Sequence, residues 1–404
     1  MLFASWIFLT RNQVVNFVYM MILARILNPV LFPSSLLFEL FWWCALVVVL
    51  LSKAIYRGSV LRGKLGLYAL LFCYMLSTYI SVACSINPEI SFIKAFIWTV
   101  VTIPLLFSAP SLNWSSDLAK KNFKLLLLCS IPFYFIPSIG FARDGLGFQG
   151  LLNHPQAFAV FIAVFFHILW KGKVRGKADV LWFVICSIII VATRARTGLV
   201  VLFGPVLLVE AGKYLSLRHF LHPFRLVAQL IKNRLRIAVF VGLGISAFFA
   251  VGVDRMGKFI MKSEENSNLV EAFEDSRGFI LLQQMKNFSS SPWVGIGFGV
   301  AKSETHAQEL EKSSVGIPVS ASTEKSNMLI AVLEETGIIG FVFFAIFLVV
   351  LLSNKVLESY LWLPFMLSNI SEVTFFSYGS FGLIFGLIMA KVYGEKRDAS
   401  DFSA

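Results

Sequence analysis

Residues 326–352 read SNMLIAVLEETGIIGFVFFAIFLVVLL. The run is long enough to cross a hydrocarbon layer as one α-helix, which takes about 20 mostly apolar residues. Two acids, Glu334 and Glu335, stand about two turns inside it. An acid at such depth must pair with a cation or be neutral. Arg196 is a candidate partner. The step Gly337-x-x-Gly340 removes side-chain bulk on one helix face and lets a neighbouring helix approach closely.

Upstream lies the one long polar segment of the chain, residues 254–325. It carries eight basic and ten acidic residues, so it has no basic excess. Within it, Leu269–Phe288 has helical composition and apolar spacing. Pro292, Gly295, Gly297 and Gly299 then stop that helix and predict a tight backbone turn.

The rest of the chain reads like the opening stretch. Hydrophobic residues make up 57%, charged residues 14%, and mean hydropathy is +0.78. A soluble chain carries about a quarter charged residues. Repeated apolar runs of helix-spanning length predict an all-α polytopic membrane protein, with about twelve transmembrane helices. A β-barrel would need alternating segments of about ten residues. The opening apolar run lacks a preceding basic region and a small-residue cleavage site, so no cleavable signal peptide is expected. The spans fall near 13–31, 35–52, 65–83, 90–109, 122–139, 154–170, 179–193, 197–210, 237–253, 326–352, 357–376 and 379–392. They divide the chain into a bundle (1–253), a large loop (254–325) and C-terminal helices with a short tail (326–404).

Charge orients the bundle. Clusters such as Lys171/Lys173/Arg175/Lys177 alternate with loops that lack them. Basic loops face the cytoplasm, which puts both termini there and the large loop on the far side. The net charge of +12 is therefore first a topology signal, with contact to membrane lipids and no nucleic acid expected. Cys44, Cys73, Cys84, Cys129 and Cys186 lie in or beside apolar runs without ligand spacing, as small packing residues. Phosphate loops, dinucleotide fingerprints and HExxH are lacking, so energy for any reaction must come from the substrate.

Few residues could carry chemistry. Arg194 and Arg196 stand between two apolar runs. They either snorkel to the interface or bind an anion, since a guanidinium fork matches phosphate in two parallel hydrogen bonds. Arg277 either pairs with Glu274 along its helix or descends over the bundle mouth as a second phosphate contact. His306 reads as a solvated surface residue and, alternatively, as a base. His154 reads as a helix cap or packing residue more than a catalyst.

Three segments occur in order: ATRARTGLVVL from Ala192, SRGFILLQQMKNFSSSPWVGIGFG from Ser276, and SNMLIAVLEETGIIG from Ser326. Their order and spacing resemble the bacterial O-antigen ligase/O-antigen polymerase family of polytopic inner-membrane glycosyltransferases. The motif-bearing part runs from Leu151 to Gly340, and GLLNHPQAFA resembles the family's upstream Asn-Pro element. The resemblance implies transfer of a glycan from an undecaprenyl-diphosphate-linked oligosaccharide on the periplasmic side, with no cofactor, nucleotide sugar or metal. Arg196, with Arg194 beside it, and Arg277 match the family's loop arginines and would hold the diphosphate. Asn327, Glu335, Gly337 and Gly340 match the motif that ends the loop, whose first position, histidine in the ligases, is Ser326 here.

A serine is a poor general base at neutral pH. The departure favours a polymerase joining repeat units of an O-antigen or exopolysaccharide. The alternative is a ligase delivering glycan to lipid A-core or another acceptor. A non-enzymatic lipid-linked glycan transporter ranks below both, because most charges sit at span ends. Glu335, Glu324 and His306 are the candidate bases for an inverting attack by an acceptor hydroxyl. Other polysaccharide-assembly proteins are possible partners.

Overall fold

The computed structural model describes residues 65–108, 117–142, 147–170, 177–215, 278–300, 328–352 and 359–371, Lys325, Asn327, a short strand pair and a few positions before 52 and at 373. In chain order the helices are α1 (Leu65–Ala83), α2 (Pro88–Ser108), α3 (Asp117–Ser130), α4 (Pro137–Gly140), α5 (Pro155–Trp170), α6 (Lys177–Ala192), α7 (Arg196–Leu215), α8 (Phe279–Ser290), α9 (Met328–Leu352) and α10 (Ser359–Ser371). A 3-10 turn, Ile131–Phe135, joins α3 to α4. The strands β1 (Glu311–Lys312) and β2 (Pro318–Ser320) pair antiparallel, Glu311 opposite Ser320.

The described structure is helical as expected, and three helices are long and apolar enough to cross a membrane: Gly66–Ala83, Pro88–Leu105 and Met328–Leu352. The predicted spans near 13–31, 237–253 and 379–392 lie outside the described residues, or almost wholly so. Two predicted continuous spans are interrupted. The 122–139 run breaks after Ser130, because Pro132 lacks an N–H and its ring crowds the preceding turn. The 326–352 run breaks at Gly337, with φ 62° and ψ −167°.

The chain forms two compact units. The first comprises residues 1–125, 277–358 and 368–404. Here α1 packs along α9, with Tyr74 against Phe344 at 5.2 Å between ring centroids. Gly340 permits this contact: a Cβ there would lie 3.0 Å from the Ser77 hydroxyl. The expected close helix approach is thus made at Gly340, whereas Gly337 serves the break instead.

The second unit comprises residues 126–276 and 359–367. Its centre is α5, apolar on every side and buried almost throughout, as a helix without a polar face must be. Gly198 meets Ala159 so closely that a Cβ would stand 2.5 Å from the alanine methyl. Pro205 inside α7 cannot donate to the Val201 carbonyl one turn back. The buried His167 of α5 reaches this interruption, its Nε2 2.8 Å from the adjacent Leu202 carbonyl. A carbonyl only accepts, so Nε2 carries the proton.

Candidate functional site: a loop seated in a broken helix

The break at Gly337 frees four backbone groups. The Glu334 and Glu335 carbonyls lose the amides four residues on, and Ile338 and Ile339 lose their acceptors. In a membrane helix such groups must be satisfied by protein. The segment following α8 satisfies all four. Ile296 N–H donates to Glu334 O (2.9 Å) and Gly297 N–H to Glu335 O (3.3 Å). Ile338 N–H donates to Pro292 O (2.8 Å) and Ile339 N–H to Trp293 O (3.2 Å). The Ser81 hydroxyl of α1 also donates to Glu335 O.

Backbone-to-backbone seating leaves no room for side chains. A Cβ on Gly337 would lie 2.3 Å from the Trp293 carbonyl carbon, and one on Gly295 2.3 Å from that of Glu335. Both glycines also adopt positive φ, with Gly297 and Gly299, so the predicted tight turn is present. Two further contacts hold it. Ile86 N–H donates to Ile296 O (3.1 Å), and Lys94 Nζ of α2 donates to Gly299 O (2.7 Å).

Seating the loop buries charge. Lys325 Nζ lies 3.1 Å from Glu334 Oε2, 2.6 Å from Glu335 Oε1 and 2.8 Å from Val300 O. Burial works against the Lys325 charge, but the two carboxylates more than reverse this and hold its pKa above the ordinary lysine value. Lysine thus fills the role for which the sequence offered Arg196.

The two acids differ. Glu334 receives Asn287 Nδ2 on Oε1 (2.6 Å), and Gln284 Nε2 (3.2 Å) and Lys325 on Oε2. Both of its oxygens are occupied. Glu335 gives Oε1 to Lys325, while its buried Oε2 has no hydrogen-bond partner. An unsatisfied carboxylate oxygen is costly in a folded protein, and it distinguishes Glu335 from Glu334.

Asn327 caps α9: its Oδ1 accepts from Leu329 N–H (2.9 Å), and its Nδ2 donates to Ile370 O (3.2 Å). In the second unit, Arg194 and Arg196 are exposed at the turn from α6 into α7. Arg194 takes φ 57°, and Thr193 Oγ1 accepts the Ala195 N–H (3.2 Å). Arg196 opens α7, where the helix end already presents positive potential. His154 caps α5, its Nδ1 accepting from Gln156 N–H (3.2 Å). Arg277, His306, Glu324 and Ser326 lie outside the described residues.

Sequence reading missed Lys325, Gln284, Asn287 and Lys94. Lys325 was legible only as the end of a polar loop. The signal for the two amides was their i, i+3 spacing, which puts them on one face of α8.

Residues 181–345 match a family model described as O-antigen ligase. That segment holds the arginine turn, α8, the glycine turn, Lys325 and both acids. No curated protein matches the chain. The matched domain supports the family that the motif order indicated, the O-antigen ligase/polymerase family, whose members are glycosyltransferase-like enzymes acting on lipid-linked glycans.

Proposed function

We propose that this protein transfers a glycan from an undecaprenyl-diphosphate carrier to a sugar hydroxyl, polymerising the repeat units of an O-antigen or exopolysaccharide. The observation that carries the reading is the seating of the Pro292–Val300 turn in the α9 break, which gathers two carboxylates and a lysine within the matched domain. In this reading the protein lies in the bacterial inner membrane. Both termini are cytoplasmic, and the 254–325 loop is periplasmic.

The donor brings its own leaving group, so binding and orientation are the protein's main tasks. Arg194, Arg196 and Arg277 hold the diphosphate and stabilise the charge that develops on it. Glu335 receives the acceptor's proton, with Glu324 and His306 as alternatives from the loop. Attack opposite the diphosphate inverts the anomeric carbon. Ser326, where the ligases carry histidine, supports polymerisation. The description of the matched family supports the second reading, a ligase delivering finished glycan to lipid A-core or another acceptor.

Glycan profiling of a null strain tests this. The strain is complemented with wild type or with Arg196→Ala, Arg277→Ala or Ser326→Ala at matched protein levels. Loss of long chains, with single repeat units still attached to their acceptor, is the expected result for the arginine variants. Full-length polymer left on the lipid carrier would establish the ligase reading. Wild-type profiles from both arginine variants would overturn the diphosphate assignment.

A further inference from the structure

We propose that Lys325 is the positioning residue of the proton acceptor: by taking Glu335 Oε1, it leaves the buried Oε2 as the oxygen that receives the acceptor's proton. The inference rests on the glycosyl-transfer reading above and adds to it a residue that the motif comparison does not single out.

The argument is one of occupancy. Two acids share one buried lysine. Glu334 spends both oxygens on Asn287, Gln284 and Lys325 and has none left for substrate. Glu335 has one oxygen fixed by the shortest of the Lys325 contacts and the other bare. The Val300 carbonyl takes a further Lys325 proton and ties the ammonium to the glycine turn. Lys325 therefore reads the seating of the turn. When the turn occupies the break, the ammonium stands between the acids and one Glu335 oxygen is presented.

The other groups around Glu335 do not duplicate this. Lys94 of α2 interacts with it electrostatically but spends a proton on Gly299 O. Tyr74 of α1 interacts with it electrostatically, and the Gly299 amide acts on the same carboxylate. Among these, Lys325 makes the direct side-chain contact, on Oε1, and Oε2 stays buried without a hydrogen-bond partner.

The step balances. The acceptor hydroxyl oxygen forms a bond to the anomeric carbon and its proton passes to Glu335 Oε2. The bond from that carbon to the diphosphate oxygen breaks, and its electron pair leaves with undecaprenyl diphosphate. The proton returns to solvent before the next cycle.

The test is turnover against pH for purified full-length protein, using undecaprenyl-diphosphate-linked glycan extracted from the native host's membranes. The variants are Lys325→Met, Lys325→Arg, Glu335→Gln and the double Lys325→Met/Glu334→Gln. The double variant keeps the cluster's formal charge (one lysine and two acids give −1, one acid alone gives −1) and guards against a simple folding failure. Glu335→Gln is expected to lose about 100-fold or more in turnover, the range for a general base. Removing the lysine alone moves the acid limb of the profile up by about one pH unit or more, as loss of an adjacent opposite charge does; in the double variant the lost Glu334 charge offsets part of that shift, so the limb moves up less. Turnover then recovers as pH is raised. Lys325→Arg keeps the limb near its wild-type position.

An acid limb that stays in place in Lys325→Met, with turnover falling only as folded protein falls, would overturn the positioning role while leaving the reaction intact. A wild-type protein that leaves the lipid-linked glycan unconsumed would overturn the reaction and the role together.

Discussion

Among the described helices, α7 and α9 are both interrupted, and they are mended differently. In α7, Pro205 removes one donor, and a single side chain, His167, comes to the interruption. In α9, Gly337 frees four backbone groups, and a whole segment from Pro292 to Gly297 replaces them. The first repair brings a neutral ring into an apolar unit. The second brings three charged side chains out of water, at several kcal/mol per ion before pairing. A packing requirement alone would be met more simply by an unbroken helix. The comparison teaches that the α9 break is filled by a backbone segment beside a charged cluster, whereas the α7 interruption is met by one neutral side chain.

The largest effect should come from filling the seat. Gly337→Ala meets a Cβ clash with the Trp293 backbone and a backbone region that only glycine adopts readily. A destabilisation of more than about 4 kcal/mol is expected, visible as loss of folded protein in detergent. A near-normal melting temperature would show that the turn does not seat as described.

Next is Glu334→Ala, which strands the buried amides of Asn287 and Gln284 while Lys325 keeps Glu335. A cost of about 2–4 kcal/mol is expected, because two buried donors lose their acceptor. A melting curve at neutral pH reads this directly. The same ion pairs have a signed pH dependence. The Lys325 pKa is raised in the folded protein, so its contribution is full below the ordinary lysine value of 10.5 and fades as pH climbs past the raised one. Wild-type stability should therefore hold through mildly alkaline pH, and a loss beginning near neutrality would contradict the ion-pair assignment.

His167→Leu should cost less, about 1–3 kcal/mol, the usual penalty for removing the partner of a buried polar group. Turnover per folded molecule should be unchanged. The smallest effect is expected at His154→Ala, about 0.5–1 kcal/mol for a lost helix cap, measured by the same thermal scan. A large activity loss there would promote His154 to the site.

Much of this architecture is legible in the sequence, because lipid imposes few solutions. Apolar runs became helices with nearly the expected bounds, as at 65–83 and 154–170. The glycine turn after Pro292 was legible from spacing alone. The break was not. Gly337 and Gly340 look alike in a string, and a packing glycine differs from a hinge glycine only in φ. Lys325 escaped for a related reason. Its partners stand nine and ten positions ahead in an apolar run, a separation that has meaning only once α9 starts at Met328 and the turn folds back. Pro132 stands where α3 ends, whereas Pro104, Pro205 and Pro364 stand inside helices, so proline alone does not tell an end from a bend.

The most direct test of the central claim sets the two repairs side by side: turnover per folded molecule for Glu335→Gln and His167→Leu, with melting temperatures on the same preparations. The account predicts that Glu335→Gln folds normally and loses about 100-fold or more in turnover, while His167→Leu melts lower yet turns over normally once corrected for folded fraction. If both variants lose activity only in proportion to folded protein, the break in α9 is architecture and the chemistry lies elsewhere.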